Sequence, residues 1–227
     1  MCGDEGQVVA TPIDNYCERT GPEFWSEPLN AATNLAFVAA GIWGLAQVHR
    51  HGTGLFAKVL CWWAIVIGVG SFIFHTTANS LTVWADVLPI VGFVFAYTIF
   101  NLRRFFRFGW TKATAIFVAF YVAAGLLTWL VPAWVAQATS GSTGYLPAFL
   151  AMFFFGGWLT LRKHPAGPYD LAAGAIFVVS VTFRAIDSHV CDALPIGTHF
   201  LWHSFNGLML AVLLTAAAKF GHPEPKS

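Results

Sequence analysis

The stretch Gly68–Pro89, with the sequence GVGSFIFHTTANSLTVWADVLP, decides the fold of this chain. It is predominantly apolar, yet it contains the polar side chains Ser71, His75 and Asp86. Ser71 and His75 are four residues apart, so both lie on one face of a helix. Because polar and ionisable side chains are costly at membrane depth, their presence here indicates a functional site.

The whole chain is unusually apolar, since 57% of its 227 residues are hydrophobic and only 10% are charged. A helix needs about 20 mostly apolar residues to cross a bilayer. The sequence therefore predicts an all-α, seven-transmembrane helix bundle, which makes the chain an integral, multi-pass membrane protein. The seven windows are Leu29–Val48, Gly54–His75, Leu81–Phe100, Trp110–Val131, Tyr145–Leu161, Leu171–Asp187 and His199–Ala218. The fifth is the weakest, because Gly156–Gly157 interrupts it. We expect an acidic extramembrane leader at 1–28, a seven-helix membrane domain at 29–219 and a tail at 220–227.

The positions of Lys and Arg predict the orientation of the helices. Short loops rich in these residues stay cytoplasmic. The first, third and fifth loops and the C-terminal tail carry all of them except Arg19 and Arg184. We therefore expect the N-terminus outside or lumenal and the C-terminus in the cytoplasm. No basic start precedes an apolar core, so we expect no cleavable signal peptide. The net charge is +1 without a basic cluster, which predicts no nucleic-acid partner.

The leader is acidic just before the first helix, where its carboxylates are Asp14, Glu18, Glu23 and Glu27. Clustered carboxylates repel one another unless a cation lies among them, and hard oxygen ligands suit Ca²⁺. Their spacing is not that of an EF-hand. Glu27, Asn30 and Asn34 lie on one face of a helix, which we expect to point into the bundle.

The last helix begins with a pair of histidines, His199 and His203, four residues apart, and Asn206 follows on the same face. Such a pair is a familiar way for one helical turn to bind a metal. The predicted orientation places both, together with His75, at the outer end of the bundle.

Three neutral imidazoles with one open position are typical of catalytic zinc, which generates a hydroxide nucleophile from water. Asp86 would then orient an imidazole or accept a proton from the water. Ser71 would hydrogen-bond the developing oxyanion or the water, and Asn206 would support the site from behind the ligands. The assembly fits hydrolysis of an amide or ester whose acyl chain lies in the membrane.

Other histidines are weaker candidates. His49, His51, His164 and His222 belong to the predicted cytoplasmic face and are excluded. His189 lies on the correct side and is the main rival ligand, although it has no partner at helical spacing. Several charged or ionisable residues precede the last helix, namely Arg184, Asp187, His189 and Asp192. The simplest interpretation is that they form ion pairs or hydrogen bonds with one another.

Three sequence blocks resemble the alkaline ceramidase family, within the superfamily that includes the adiponectin receptors. Gly68–Pro89 resembles the family's GxGSxxFHxTL…DELPM stretch, and GTHFLWHSFN resembles its HxxxH block on the last helix. The leader segments YCER and EPLNAATN are similar to the family's CE…EFxNTxSN segment. The blocks occur in the family's order and span the chain from leader to last helix.

This resemblance implies hydrolysis of ceramide to a sphingoid base and a fatty acid, with a membrane lipid as substrate. It implies zinc held by His75, His199 and His203, with Ser71 and Asp86 as helpers. It also implies calcium bound by the leader, through Glu18 and Glu27 with Asp14, Asn15, Tyr16 and Thr20. The chain departs from the pattern at Arg19, at Thr20 and in reading DVLP after Trp84–Ala85. These departures leave open a relative that acts on another acylated lipid.

The cysteines suggest a further link between the leader and the last outer loop. Cys17 and Cys191 both lie on the predicted oxidising side, where they could form a disulfide, and the family resemblance agrees. Cys2 is a rival partner for either of them. Cys61 is intramembrane, and we expect it to be a free thiol.

The leading hypothesis is a zinc-dependent intramembrane amidase. The alternatives are a seven-helix receptor-like protein with a structural zinc site and a hydrolase of a different acylated lipid. A retinal-type pump needs a Lys within the bundle, and the last helix has none before Lys219. We find no inverted repeat that would indicate a transporter. The sequence identifies no protein partner.

Overall fold

A computed structural model of the protein describes residues 10–223, and the statements below concern these residues. The predicted all-α architecture is confirmed, because seven helical segments are long and apolar enough to cross a membrane. The fifth is continuous despite Gly156–Gly157. The direction in which the bundle crosses the membrane, and the domain boundaries at residues 28 and 219, stay predictions.

The first span consists of two helices, α1 (Pro28–Thr33) and α2 (Leu35–His51). The chain continues through α3 (Leu55–Thr77) and α4 (Thr82–Phe100), which runs into a π-helical turn at Asn101–Phe105. After α5 (Trp110–Trp129), the connection contains the short helix α6 (Ala133–Ala138) and a 3₁₀ turn at Ser142–Tyr145. The remaining helices are α7 (Leu146–Leu161), α8 (Gly167–Ile186) and α9 (His199–Phe220).

The long helices form a closed ring in which α9 packs between α2 and α8. On one side α3 packs against α2 and α4 against α3, and on the other α7 packs against α8, while α5 bridges α4 and α7. Small residues allow close contacts: at Gly207 of α9 a Cβ would lie 2.6 Å from the Cβ of Ala36 in α2. Small residues of this kind let membrane helices pack closely.

Helices α3 and α4 approach each other closely at one point. Pro89 lies inside α4 and has no N–H, so the carbonyl of Ala85 lacks its usual donor. Gly70 of α3 lies directly against this carbonyl, and any Cβ at Gly70 would overlap the oxygen. Trp63 of α3 also donates to the Pro89 carbonyl at 2.9 Å. This contact brings the end of α3 that carries Ser71 and His75 next to the start of α4.

The leader lies across the end of the bundle at which α3 ends and α9 begins. Its backbone pairs with the α3–α4 turn, where Ile13 donates to Ala78 at 2.8 Å and Ser80 donates to Thr11 at 2.9 Å. Cys17 and Cys191 form a disulfide, which links the leader to the α8–α9 loop. Cys2, the predicted rival, lies outside the described residues. Cys61 is a buried free thiol.

Candidate metal centre

Three buried histidines meet beneath the leader. His75 is in the last turn of α3, and His199 and His203 occupy the first two turns of α9. The ring centroids are 5.2 Å apart for His75–His199, 4.7 Å for His75–His203 and 4.6 Å for His199–His203. Each ring offers one nitrogen, and these three nitrogens all lie within 4.8 Å of one another. The group could therefore hold a metal ion.

The hydrogen bonding of the rings fits this role. His75 Nε2 and His199 Nδ1 are buried and have no hydrogen-bond partner. A buried polar atom without a partner costs about 1–3 kcal/mol, so two of them side by side need an explanation. His203 Nδ1 lies 3.0 Å from the hydroxyl of Thr33, which leaves its Nε2 for a metal. Nitrogens that point together without a protein partner are what a metal site requires.

A carboxylate on the leader side orients His75. Glu27 is buried, and its Oε2 lies 2.6 Å from His75 Nδ1. The same oxygen accepts a hydrogen bond from the Asn30 side chain at 3.1 Å. Arg19 donates to the other oxygen, Oε1. Metal-binding histidines commonly donate their second nitrogen to a carboxylate, which fixes the ring and its tautomer.

A second carboxylate fixes the start of α9. Asp187 Oδ1 accepts hydrogen bonds from the backbone N–H groups of Thr198 at 2.6 Å and His199 at 2.9 Å. Its Oδ2 accepts from the N–H of Cys17 at 3.1 Å. The predicted pairing among the polar residues of this loop is wrong for Asp187 and Arg184. Arg184 instead donates to the carbonyl of Ser140 and the hydroxyl of Ser142, and Asp187 caps a helix that carries two of the histidines.

Ser71 and Asp86 lie next to the histidines. Ser71 is buried one turn before His75, and the Asp86 carboxylate lies beside both residues. Asp86 Oδ1 is buried without a hydrogen-bond partner, and so is Oδ1 of Asn206. The residues that were predicted to assist a metal therefore lie around the three histidines and keep free acceptor atoms.

An apolar cavity begins beside the histidines and extends along the bundle. Phe37 contacts the His203 ring and also lines this cavity, as do Trp202 and Asn206. Its other end is polar, because Asp170 there accepts hydrogen bonds from Tyr97 at 3.0 Å and Asn101 at 2.5 Å. A mostly apolar lining with a few polar groups at one end is typical of a site for an apolar ligand.

The structure gives the predicted calcium site no support. Glu18 accepts hydrogen bonds from the backbone N–H groups of Leu29 at 2.6 Å and Asn30 at 2.8 Å, so it caps α1. Burial raises the pKa of Glu18, although these two hydrogen bonds act in the opposite direction. Both carboxylate oxygens of Glu27 are already hydrogen-bonded, one to His75 and the other to Arg19. Burial raises its pKa, but the hydrogen bonds from His75, Arg19 and Asn30 outweigh this and leave the pKa below its usual value.

The other predicted calcium ligands receive no support from the structure either. Tyr16 stacks on the His199 ring with centroids 3.7 Å apart, and burial raises its pKa. Asp14, Asn15 and Thr20 are exposed. Within residues 10–223, the three histidines are the group of His, Cys, Asp and Glu residues that could hold a metal, and exposed His189 is not part of it.

Sequence reasoning missed the roles of Glu27, Asp187, Arg19 and Thr33. The sequence predicts Glu27 to face into the bundle, but as a calcium ligand. The three-residue spacing of Glu27 and Asn30 correctly indicates the buried face of the helix. No local sequence pattern indicates that Glu27 contacts His75, because the two residues are 48 positions apart. Thr33 meets His203 across 170 residues.

The fold and the site together define a seven-helix membrane protein with three buried histidines that could hold a metal ion and an apolar cavity beside them. The sequence model of the family described as Ceramidase matches residues 10–223, which is most of the chain. The chain therefore belongs to the Ceramidase family, and membership implies a hydrolase of amide bonds with the lipid ceramide as substrate. A comparison with curated proteins finds no match.

Proposed function

We propose that this protein is a zinc-dependent intramembrane hydrolase that cleaves the amide bond of ceramide to a sphingoid base and a fatty acid. The observation that carries the proposal is the convergence of three buried imidazoles with two unpartnered ring nitrogens. Family membership supplies the amide-hydrolase class. The zinc ion and the mechanism belong to the proposal.

His75, His199 and His203 would hold the metal. Neutral imidazoles are favoured ligands of zinc, and three of them leave a fourth position open in a tetrahedral site. When bound, zinc supplies Lewis-acid chemistry, because it lowers the pKa of water from about 15.7 to about 7 and polarises a carbonyl group. Within the described residues, the group that could hold the metal consists of histidines alone, so imidazole nitrogens would be its protein ligands.

Asp86 is the group that we assign to proton transfer. Its carboxylate lies beside His75 and Ser71, and its Oδ1 accepts no hydrogen bond from the protein. It accepts a proton from the attacking water as the water oxygen bonds to the amide carbon. It then returns this proton to the amide nitrogen, so that the C–N bond breaks and leaves a free amine and a carboxyl group.

Ser71 is placed to stabilise the charge that develops on the carbonyl oxygen. Its hydroxyl is buried on the same face of α3 as His75, one turn away. A hydroxyl donor that is fixed before the reaction stabilises an oxyanion better than bulk water, because it needs no reorganisation.

The cavity supports a lipid substrate. Its lining is mostly aromatic and aliphatic, and it begins at residues next to His203. An acyl chain in this cavity would place the amide group at the histidines, and the apolar lining would replace the lipid surroundings of the chain.

The test is turnover of long-chain ceramide by purified protein, together with a measurement of bound zinc. We expect about one zinc per chain, loss of turnover on chelation and recovery when zinc is restored. His203→Ala should lose both zinc and turnover, whereas the matched control His189→Ala should keep both, because His189 is exposed and lies outside the cluster. Full activity of a zinc-free preparation would disprove the mechanism. Stoichiometric zinc without turnover of any acylated lipid would indicate the receptor-like alternative.

A further inference from the structure

Arg19 is a buried cation in an otherwise acidic leader. Its side chain is 3% exposed, and every nitrogen of the guanidinium donates a hydrogen bond to oxygen. Nε donates to Glu27 Oε1, Nη1 donates to the carbonyl of Gly21 at 2.9 Å, and Nη2 donates to the carbonyl of His75 at 3.1 Å. Burial together with a hydrogen bond from each of the three nitrogens indicates a fixed structural position.

The acceptors around Arg19 resemble the ligands of a hard cation. They are one carboxylate oxygen and two backbone carbonyl oxygens, the types that bind calcium in proteins. The clustered carboxylates of the leader predicted a cation among them. In the structure, the cation beside Glu27 is the guanidinium of Arg19. Glu18 instead accepts hydrogen bonds from backbone N–H groups at the N-terminus of α1.

Arg19 is connected to the metal centre by two routes. Through Glu27, it fixes the carboxylate whose second oxygen lies 2.6 Å from His75 Nδ1. Through the backbone, it holds the carbonyl of His75 itself. A buried carboxylate without a cation would be costly, since burying an ionised group is unfavourable unless it is paired.

We propose that Arg19 is the built-in cation of the leader: it fixes Glu27 and thereby positions His75 as a metal ligand without calcium. Arg19 is thus a positioning residue, because it touches neither the metal position nor the substrate cavity. The inference rests on the proposed function only in that the histidines bind zinc.

The first experiment measures zinc affinity by competition with a chromophoric chelator, in detergent and without substrate. Groups behind metal ligands typically contribute 10- to 100-fold in affinity, so we expect Arg19→Gln to bind zinc about 10- to 100-fold more weakly. Arg19→Lys keeps the charge and should recover part of this loss. Glu23→Gln is the matched control, because Glu23 is an exposed leader carboxylate that accepts a hydrogen bond from the Ser26 hydroxyl at 3.1 Å. The zinc affinity of this variant should equal that of the wild type.

The second experiment needs no substitution, so it stands even if Arg19→Gln fails to fold. Calcium is titrated to millimolar concentration into calcium-free wild-type protein, and zinc affinity and ceramide turnover are followed. We expect neither to change by more than the error of the measurement. A severalfold rise in either one on adding calcium would overturn the inference, as would an unchanged zinc affinity of folded Arg19→Gln. A wild type that binds no zinc at all would instead contradict the proposed function.

Discussion

Glu27 and Asp187 each use a carboxylate outside the long helices to fix one part of the metal centre. Glu27 fixes the ring of His75 through Nδ1. Asp187 fixes the backbone at His199 through two N–H groups at the start of α9. Oxygen acceptors at a helix N-terminus satisfy donors that the helix itself cannot. The histidines therefore owe their positions to neighbours that bind no metal.

Asp86 provides the sharpest test of chemistry at the scale of one residue. We expect Asp86→Asn to keep zinc and the fold but to lower turnover by about 10²- to 10⁴-fold, because an amide cannot accept the proton from water. The measurements are kcat on ceramide and zinc content of the same preparation. Asp192→Asn, at an exposed position, serves as the control. If Asp86→Asn turned over ceramide at the wild-type rate, Asp86 would have no part in proton transfer.

At the scale of helices, the contact between α3 and α4 brings Ser71 and Asp86 together. Pro89 frees the Ala85 carbonyl, and Gly70 leaves room for it. The glycine is needed here because backbone occupies the position of its missing side chain. Backbone cannot move aside as a flexible side chain can.

Gly70→Ala should therefore separate the two helices. We expect a destabilisation of about 1–3 kcal/mol, the usual cost of adding atoms to a packed core. Turnover should fall on the order of 10²-fold, because a shift of about 1 Å is enough to misplace catalytic groups. Thermal unfolding and ceramide turnover are the measurements.

Gly125→Ala in α5 is the matched control, since a Cβ there meets no atom within 4 Å. It should be neutral or slightly stabilising, because alanine favours a helix over glycine by about 1 kcal/mol. Equal effects of the two substitutions would contradict a specific role for the α3–α4 contact.

At the scale of the whole molecule, the leader closes the end of the ring above the histidines. Its attachments are the disulfide to the α8–α9 loop, the backbone pairing with the α3–α4 turn and the contacts of Arg19. These attachments reach the ends of α3 and α9, the two helices that supply the histidines. Tyr16, next to Cys17, then covers the His199 ring.

Loss of the disulfide should loosen this cover. We expect non-reducing mass mapping to join Cys17 to Cys191, and Cys17→Ser to destabilise the protein by about 2–5 kcal/mol, typical for removal of a native disulfide. If the disulfide alone is responsible, Cys17→Ser, Cys191→Ser and the double variant should have the same thermal stability. Two free thiols at these positions, or additive losses in the double variant, would exclude this explanation.

The sequence by itself determined the spans and the level of the histidines. Apolar length is a local property of each segment, so seven spans followed from composition. Helical spacing placed His199 and His203 on one face, and the alternation of charged loops predicted that His75 shares their end of the bundle. The structure brings these three histidines together.

Only the tertiary structure decided which groups support the histidines. The pairing of Glu27 with His75, of Thr33 with His203 and of Arg19 with Glu27 depends on how α1, α3, α9 and the leader meet. Periodicity specifies the face of a helix that is buried, but it does not specify the partner on the neighbouring helix. A leader without periodic structure carries even less of this information. Calcium was therefore predicted from the carboxylates and the family resemblance, whereas the folded chain pairs one of these carboxylates, Glu27, with Arg19.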